Sequence, residues 1–306
     1  MNDVAIGIDI GGTRTKYGLV NIKIGEVITM LIEATEANVE SNFIFQLISS
    51  IRKLQLYAEQ SGMTVSGIGI GVSSFVNNQG VVDSTYGFLT FMENYPLAYV
   101  IEEEFKLCCK VDNDARMVAL GEATYGKGKG FERVLVLTLG TGVGVGFVNN
   151  GKLGDRLPFA HMAGHMTITK NDHRCYCGKT GCLESLVSAS GITYAAERNN
   201  WTTKYPMIPL TAESIFVAAE NGNREAKSMV DNLMNYLHIG IHNYVNVFAP
   251  DIIVIGGGIA KGIKPYLGAL SDTSYLKPFK NYTVEMAISE LHEHAGILGA
   301  AARIQL

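Results

Sequence analysis

The residues with chemical potential fall at abrupt transitions from apolar runs to glycine turns. Asp9 ends the run Val4–Asp9 and precedes Ile10-Gly11-Gly12-Thr13. Glycines let backbone N–H groups approach a phosphate, Thr13 adds a hydroxyl, and Asp9 can hold Mg²⁺ directly or through water. The same residues also suit an ordinary hairpin capped by Asp9. Gly140-Thr141-Gly142-Val143-Gly144 is a second turn of this kind, and two such turns from two halves of a chain can grip one polyphosphate. No long helix is expected directly after it, so a dinucleotide-binding fold fits poorly. No G-x-x-x-x-G-K-[ST] run is present, which excludes the usual P-loop. Gly256-Gly257-Gly258 follows the apolar run Asp251–Ile255. It offers either flat backbone for an adenosine or a strand-to-helix corner that needs positive φ.

Asp114 stands between a short strand, Lys110-Val111-Asp112, and a helix expected over 115–125. An alcohol is a poor nucleophile, and a carboxylate at such a junction can accept its proton as it attacks a phosphoryl group. The competing reading is that Asp114 only caps the helix, worth about 1 kcal/mol. Cys175, Cys177 and Cys182 crowd a short glycine-containing loop. Three thiolates and one imidazole complete a tetrahedral Zn²⁺ site with no open position, which makes the metal structural. Two histidines are available as the fourth ligand: His165, ten residues before Cys175, and His173, two before it. Three buried reduced cysteines without metal are the alternative. Cys108 and Cys109 have no such partner set and read as core packing.

The elements that position these residues follow from hydrophobic periodicity. Val4–Asp9 and Tyr17–Val20 are strands flanking the first turn, and Val134–Thr138 and Val145–Val148 flank the second. This recurrence of strand, Gly/Thr turn and strand points to a duplicated domain. Between them, Ile44, Leu47, Ile48, Ile51 and Leu54 mark one face of a helix over 41–62. A buried strand is expected at 65–72, helices at 212–221 and 224–248, strands at 251–255 and 283–288, and a small-residue helix at 295–304. The loop 126–130 is a reasonable hinge.

Composition narrows the class. The 306 residues are 47% hydrophobic and 18% charged, with mean hydropathy +0.15, as in a packed globular protein. Lys and Arg number 25 against 29 Asp and Glu, a net charge of −4, which argues against a nucleic-acid backbone as the main partner. No apolar run reaches the length of a membrane span, and Met1–Val4 lacks the features of a signal peptide, so a cytoplasmic protein is expected.

Asp9-Ile-Gly-Gly-Thr13, Asp112-Asn-Asp-Ala115, Leu139-Gly-Thr-Gly142 and Ile255-Gly-Gly-Gly258 together resemble the ROK family (repressors, open reading frames and sugar kinases). So does Gly164-His165 followed by Cys175-x-Cys177-Gly-x-x-Gly-Cys182-x-Glu184, the most specific of these blocks. The resemblance covers nearly the whole chain in order. It implies a two-domain α/β fold of the actin/hexokinase (ribonuclease H-like) superfamily, with a cleft between domains and ATP at its base. The expected domains are 1–117 with the carboxy-terminal helix 295–306, and 118–294. The implied activity is Mg²⁺–ATP-dependent phosphorylation of a hexose or hexose derivative at the 6-hydroxyl. Asp114 would be the general base, and Asn113, Asp114, His165 and Glu184 the sugar-binding set. Asp9, Gly11, Gly12, Thr13, Lys16, Gly140, Thr141, Gly142, Gly256, Gly257 and Gly258 would hold ATP. The family pattern selects His165 with Cys175, Cys177 and Cys182 for zinc, and leaves its free ring nitrogen for a sugar hydroxyl. A homodimer is also implied.

One departure bears on substrate. Family kinases commonly read Gly-Glu-x-Gly-His where this chain reads His161-Met162-Ala163-Gly164-His165. A thioether accepts hydrogen bonds only weakly, so either His161 supplies part of the missing polarity or the sugar lacks the usual hydroxyl pattern. The segment Gly71–Val76 also lacks the family's Pro-Gly pair. Two other readings remain: a sugar-binding sensor with little or no catalysis, and a transcriptional repressor. The first strand at Val4 and the negative charge weigh against the repressor.

Overall fold

The computed structural model describes residues 3–84, 87–154, 158–170, 173–272 and 278–306. The chain opens with β1 (Asp3–Ile10), β2 (Arg14–Asn21) and β3 (Glu26–Ala34), then α1 (Glu40–Gln60) and β4 (Thr64–Val72). The short pair β5 (Phe75–Val76) and β6 (Val82–Asp83) leads to α2 (Leu97–Phe105), β7 (Cys109–Asn113) and α3 (Asp114–Tyr125). The first sheet has the order β3-β2-β1-β4-β7, with β2 antiparallel to β1 and β3, and β1, β4 and β7 parallel. Val4, Ile6, Ile8 and Ile10 of the central strand are fully buried. Phe43, Leu47, Ile51, Leu54 and Ala58 of α1 pack in the same core. Their spacing of three or four puts one helical stripe on the sheet. α1 stops at Ser61-Gly62, where Gly62 adopts φ +68°.

β8 (Arg133–Leu139), β9 (Val143–Asn149) and β10 (Lys152–Leu153) begin the second sheet. α4 (Glu184–Val187), α5 (Ala189–Arg198), α6 (Trp201–Lys204), α7 (Ala212–Glu220) and α8 (Arg224–Phe248) follow, and β11 (Ile252–Gly256) and β12 (Glu285–Ile288) complete the sheet. Its order is β10-β9-β8-β11-β12. Numbered from the first strand of each, both sheets run 3-2-1-4-5, so the duplication expected from the two glycine turns extends to whole sheets.

The chain divides into two compact units. One comprises Met1–Val136, Gly146–His161 and Glu290–Leu306; the other comprises Leu137–Val145 and Met162–Ser289. The expected break after Met117 falls inside α3, and the 126–130 loop lies wholly in the first unit. The carboxy-terminal helix, Ala295–Ala302, is buried at every residue and packs on α3, β1 and β4. Such contact needs small residues. A Cβ on Gly69 of β4 would overlap the Ala300 carbonyl, and one on Gly299 would overlap the Met117 carbonyl. β3 and α2 were not anticipated. β3 is an edge strand of half-buried residues with no sharp alternation, so it carries little of the pattern that marks a strand. Among the described residues, no helix is long and apolar enough to cross a membrane.

Candidate active site and metal centre

In the first unit, strand register assembles the carboxylates. Asp9 of β1 pairs with Gly71 of β4, and Gly71 with Asp112 of β7. Asp9 and the Asn113-Asp114 junction therefore lie at the same end of the sheet, the carboxyl ends of its parallel strands, where ligands of such sheets bind. Cross-strand pairing also sets Lys16 opposite Asp9. Its Nζ lies 3.9 Å from Asp9 Oδ2 and donates to the Glu293 carbonyl at 3.3 Å. The Asp9 carboxyl is pushed up to about 6, by burial first and by the Asp114 charge second, with Lys16 opposing. Burial likewise raises Asp114, against the lowering effect of hydrogen bonds from the Ala115 N–H and the Ser73 hydroxyl. The turn between the strands is tied down. The Gly11 N–H donates to the Arg14 carbonyl at 3.1 Å, and Thr35 Oγ1 donates to the Gly11 carbonyl at 2.7 Å. Gly12 and Thr13 are exposed.

The cap of α3 is Asn113, not Asp114. Asn113 Oδ1 accepts from the N–H groups of Ala115 (3.0 Å) and Arg116 (3.3 Å), while its Nδ2 donates to the Ser74 carbonyl at 3.2 Å. The competing role considered for Asp114 thus passes to its neighbour. Asp114 becomes the first helical residue, with Oδ1 2.8 Å from the Ala115 N–H. Behind the junction lies a clamp that was not singled out from the sequence. Arg116 Nε and Nη2 donate to the two Asp112 carboxylate oxygens at 2.7 and 3.2 Å, and Arg116 also reaches the Gly154 carbonyl at 3.4 Å. Arg116 is 4% exposed. Sequence spacing did not mark it, because Asp112 lies in β7 and Arg116 in α3, and the pair meets only through the turn between them.

In the second unit, the turn Gly140-Thr141-Gly142 is anchored to the start of α5. The Ala189 N–H donates to the Gly140 carbonyl at 2.8 Å, and Ser190 Oγ donates to the Thr141 carbonyl. Gly257, at φ +90°, has its Cβ position filled by the Leu139 backbone. Gly257 is therefore a corner glycine packed on the end of β8. Gly258 faces open space, and Gly256 faces Ser289.

The cysteine block forms a compact knuckle. The Cys175 N–H donates to the Lys179 carbonyl and the Gly178 N–H to the Cys175 carbonyl; Arg174 bridges Thr180, and Thr167 bridges Cys182. One ligand atom from each of His165, Cys175, Cys177 and Cys182 lies within 4.8 Å of all the others. Cys177 Sγ is 3.7 Å from Cys182 Sγ, and His165 Nδ1 is 3.5 Å from Cys175 Sγ. Tetrahedral Zn–S and Zn–N bonds predict edges of about 3.8 and 3.6 Å, so the donor set fits zinc. Burial pushes the Cys175 and Cys182 thiols up, which makes a bare cluster of neutral thiols the state that a cation would invert. His173, the other candidate, is instead stacked on Tyr194 with ring centroids 3.7 Å apart.

The ring nitrogen of His165 expected to be free meets Tyr176 Oη at 3.1 Å. Glu184, at the start of α4, is buried rather than solvated. Its Oε2 accepts from the Val143 N–H at 3.2 Å, and its Oε1 lies 3.7 Å from Cys175 Sγ. One carboxylate thus links the glycine turn to the metal cluster. Met162 is partly exposed; the His161 side chain lies outside the described residues.

Two α/β sheets of identical 3-2-1-4-5 order, each headed by a glycine hairpin, define the actin/hexokinase-like class of phosphotransferase folds. Within that class the chain belongs to the ROK family, which it matches over residues 5–305. It is 33% identical to a glucokinase of Halalkalibacterium halodurans, over 96% of this chain and 92% of that one. A putative xylose repressor of Caldicellulosiruptor is 31% identical, over 98% of this chain and 77% of its own length. Among solved structures, a ROK family glucokinase from Streptomyces griseus in complex with glucose and AMPPNP superposes with TM-score 0.78. It shows 25% identity over 97% of this chain and 98% of that one.

Proposed function

We propose that the chain is an ATP-dependent sugar kinase that transfers the γ-phosphoryl group to a hexose or hexose derivative at its 6-hydroxyl, with Asp114 as general base. The observation that carries the reading is Asp114 itself. It is a half-buried carboxylate at a strand-to-helix junction, relieved of the cap role by Asn113, its proton affinity raised by desolvation and its own charge felt at Asp9. A raised proton affinity suits a base that must take a proton from an alcohol. Bound ATP with Mg²⁺ supplies the phosphoryl group and the charge neutralisation. Asp9 would hold the metal, and Gly11, Gly12, Thr13, Lys16, Gly140, Thr141, Gly142 and Gly258 would meet the nucleotide. Asn113, His165 and Glu184 would orient the sugar. A homodimer, like the residue roles, rests on the family resemblance.

The test is turnover with ATP and Mg²⁺ across hexoses, N-acetylhexosamines and ketoses, beside Asp114→Asn. The expected result is phosphorylation of at least one sugar and a loss of at least about 100-fold in the variant with unchanged circular dichroism. Full activity in Asp114→Asn would remove the assignment of the base. Met162, in place of a carboxylate, favours a second reading as a sugar-responsive regulator. Tight sugar binding without ADP release across the panel would select it.

A further inference from the structure

The turn Gly140-Thr141-Gly142 is held at both ends and left open in the middle. The Gly140 N–H donates to the Gly142 carbonyl at 3.0 Å, and the Val143 N–H donates to Glu184 Oε2 at 3.2 Å. Between them, the N–H groups of Thr141 and Gly142 have no partner among the described residues. Thr141 is exposed and Gly142 half-buried. Successive backbone N–H groups presented at a turn form an anion-binding concavity. The Gly140 and Thr141 carbonyls are already taken, by the Ala189 N–H and Ser190 Oγ.

Glu184 shapes this concavity. Its side chain is buried, and Oε2 lies 2.9 Å from where a Cβ on Gly142 would stand. The carboxylate thus packs on the bare Cα of Gly142 while it accepts the next N–H. Its other oxygen, Oε1, is 3.7 Å from Cys175 Sγ and 3.9 Å from His165 Nδ1, and Cys182 stands two residues before it in sequence. The cysteine knuckle therefore sets where this carboxylate sits. Val143 is 5% exposed, so loss of the acceptor would orphan a buried N–H at the base of the turn. A turn that must be ordered again on binding gives up affinity.

We propose that Glu184 is a positioning residue for the nucleotide: from the cysteine knuckle, it holds the Gly140–Gly142 turn so that the Thr141 and Gly142 N–H groups meet a phosphate together. This role rests on the kinase reading, which supplies the nucleotide, and it adds a second task to a residue expected only at the sugar. A carboxylate offers about four lone-pair sites, so the two tasks are compatible.

Isothermal titration calorimetry of the full chain with Mg²⁺–AMPPNP, with Zn²⁺ in the buffer and no sugar, tests the proposal. Glu184→Ala is expected to weaken AMPPNP binding by at least about tenfold, the effect of one orphaned buried donor. A residue that only touched sugar would leave this sugar-free titration unchanged. Glu184→Gln keeps a carbonyl that can accept from the Val143 N–H, so it should stay within about threefold of the parent. Gly142→Ala drives its Cβ onto Glu184 Oε2 and should also weaken AMPPNP; in the double variant with Glu184→Ala the two losses should not add. Should Glu184→Ala fail to fold, Gly142→Ala and Glu184→Gln carry the test, the first weakened and the second not. Parent-like affinity in Glu184→Ala or Gly142→Ala, additive losses, or a Glu184→Gln tenfold or more weaker than the parent would each overturn the proposal. A parent that binds no AMPPNP would remove the kinase reading and this role with it. A parent that binds, beside variants that bind equally well, would remove this role alone.

Discussion

Asp9 carries a cost that the ligand-free protein must bear. Its folded-state value of about 6 lies above the ordinary 3.8, so between these values the folded state binds more protons than the unfolded state. Stability therefore falls as pH rises through this window and stays lower above it. Asp9→Asn removes the buried charge. The metal-free variant is expected to be more stable than the parent at about pH 7.5, by up to about 3 kcal/mol, and to lose that advantage near pH 4. Urea unfolding at the two pH values measures it, and equal stability at about pH 7.5 would contradict the burial argument. Asp114 is raised in the same direction. At the residue scale the candidate site is thus destabilising when empty, as expected where charge is held for a ligand. Asp9 was legible in the sequence because it ends an apolar run at a glycine turn, and Asp114 because it stands between a short strand and a helix. Their mutual influence was not, since 105 positions separate them and only pairing through Gly71 brings them to one sheet end.

At the scale of elements, the carboxy-terminal helix explains glycines that no turn requires. Gly69 lies in mid-strand, where glycine is unfavourable, and the backbone of Ala300 occupies the space its side chain would take. A carbonyl cannot move aside as a flexible side chain can. Gly69→Ala is therefore expected to cost about 3 kcal/mol or more, read as a lower urea midpoint. Gly268→Ala, with nothing within 4 Å of the added atom, should change stability by less than about 1 kcal/mol. A tolerated Gly69→Ala would mean that the helix does not seat on β4 as described. The periodic elements, α1, α7 and α8, were readable because each presents a 3.6-residue stripe to a core. β3 and α2 were not: β3 is half buried along most of its length, and α2 buries only Leu97, Ala98 and Ile101, a stripe of little more than one turn.

For the whole molecule, the cysteine knuckle makes a prediction about metal content. The donor spacing calls for about one Zn²⁺ per chain, with Cys177→Ser reducing it to near zero by elemental analysis. Stripping metal from the purified protein should lower its melting temperature, and added Zn²⁺ should restore it. A melting temperature indifferent to metal would leave the four side chains as a reduced, metal-free cluster. Glu184 gives the knuckle a reach beyond itself, because one carboxylate spans from Cys175 to the Val143 N–H beside the glycine turn. In sequence, Glu184 stands 9 residues from Cys175 and 41 from Val143.

Read alone, the sequence determined what lies close along the chain: the two glycine turns, the strand-to-helix junction at Asp114, the Cys-x-Cys-x-x-x-x-Cys block and the duplication they imply. These are local because turn conformation, capping and metal chelation depend on spacings of a few residues. It left His165 and His173 equivalent by chemistry, and left the cap of α3 as a competing role for Asp114 that belongs to Asn113. Only the folded chain decided those points, along with the Asp112–Arg116 clamp, the burial of Glu184 and the shift of Asp9. Each depends on which distant segments exclude water from a group and which donor reaches it, and those are set by packing across the sheet rather than by covalent neighbourhood.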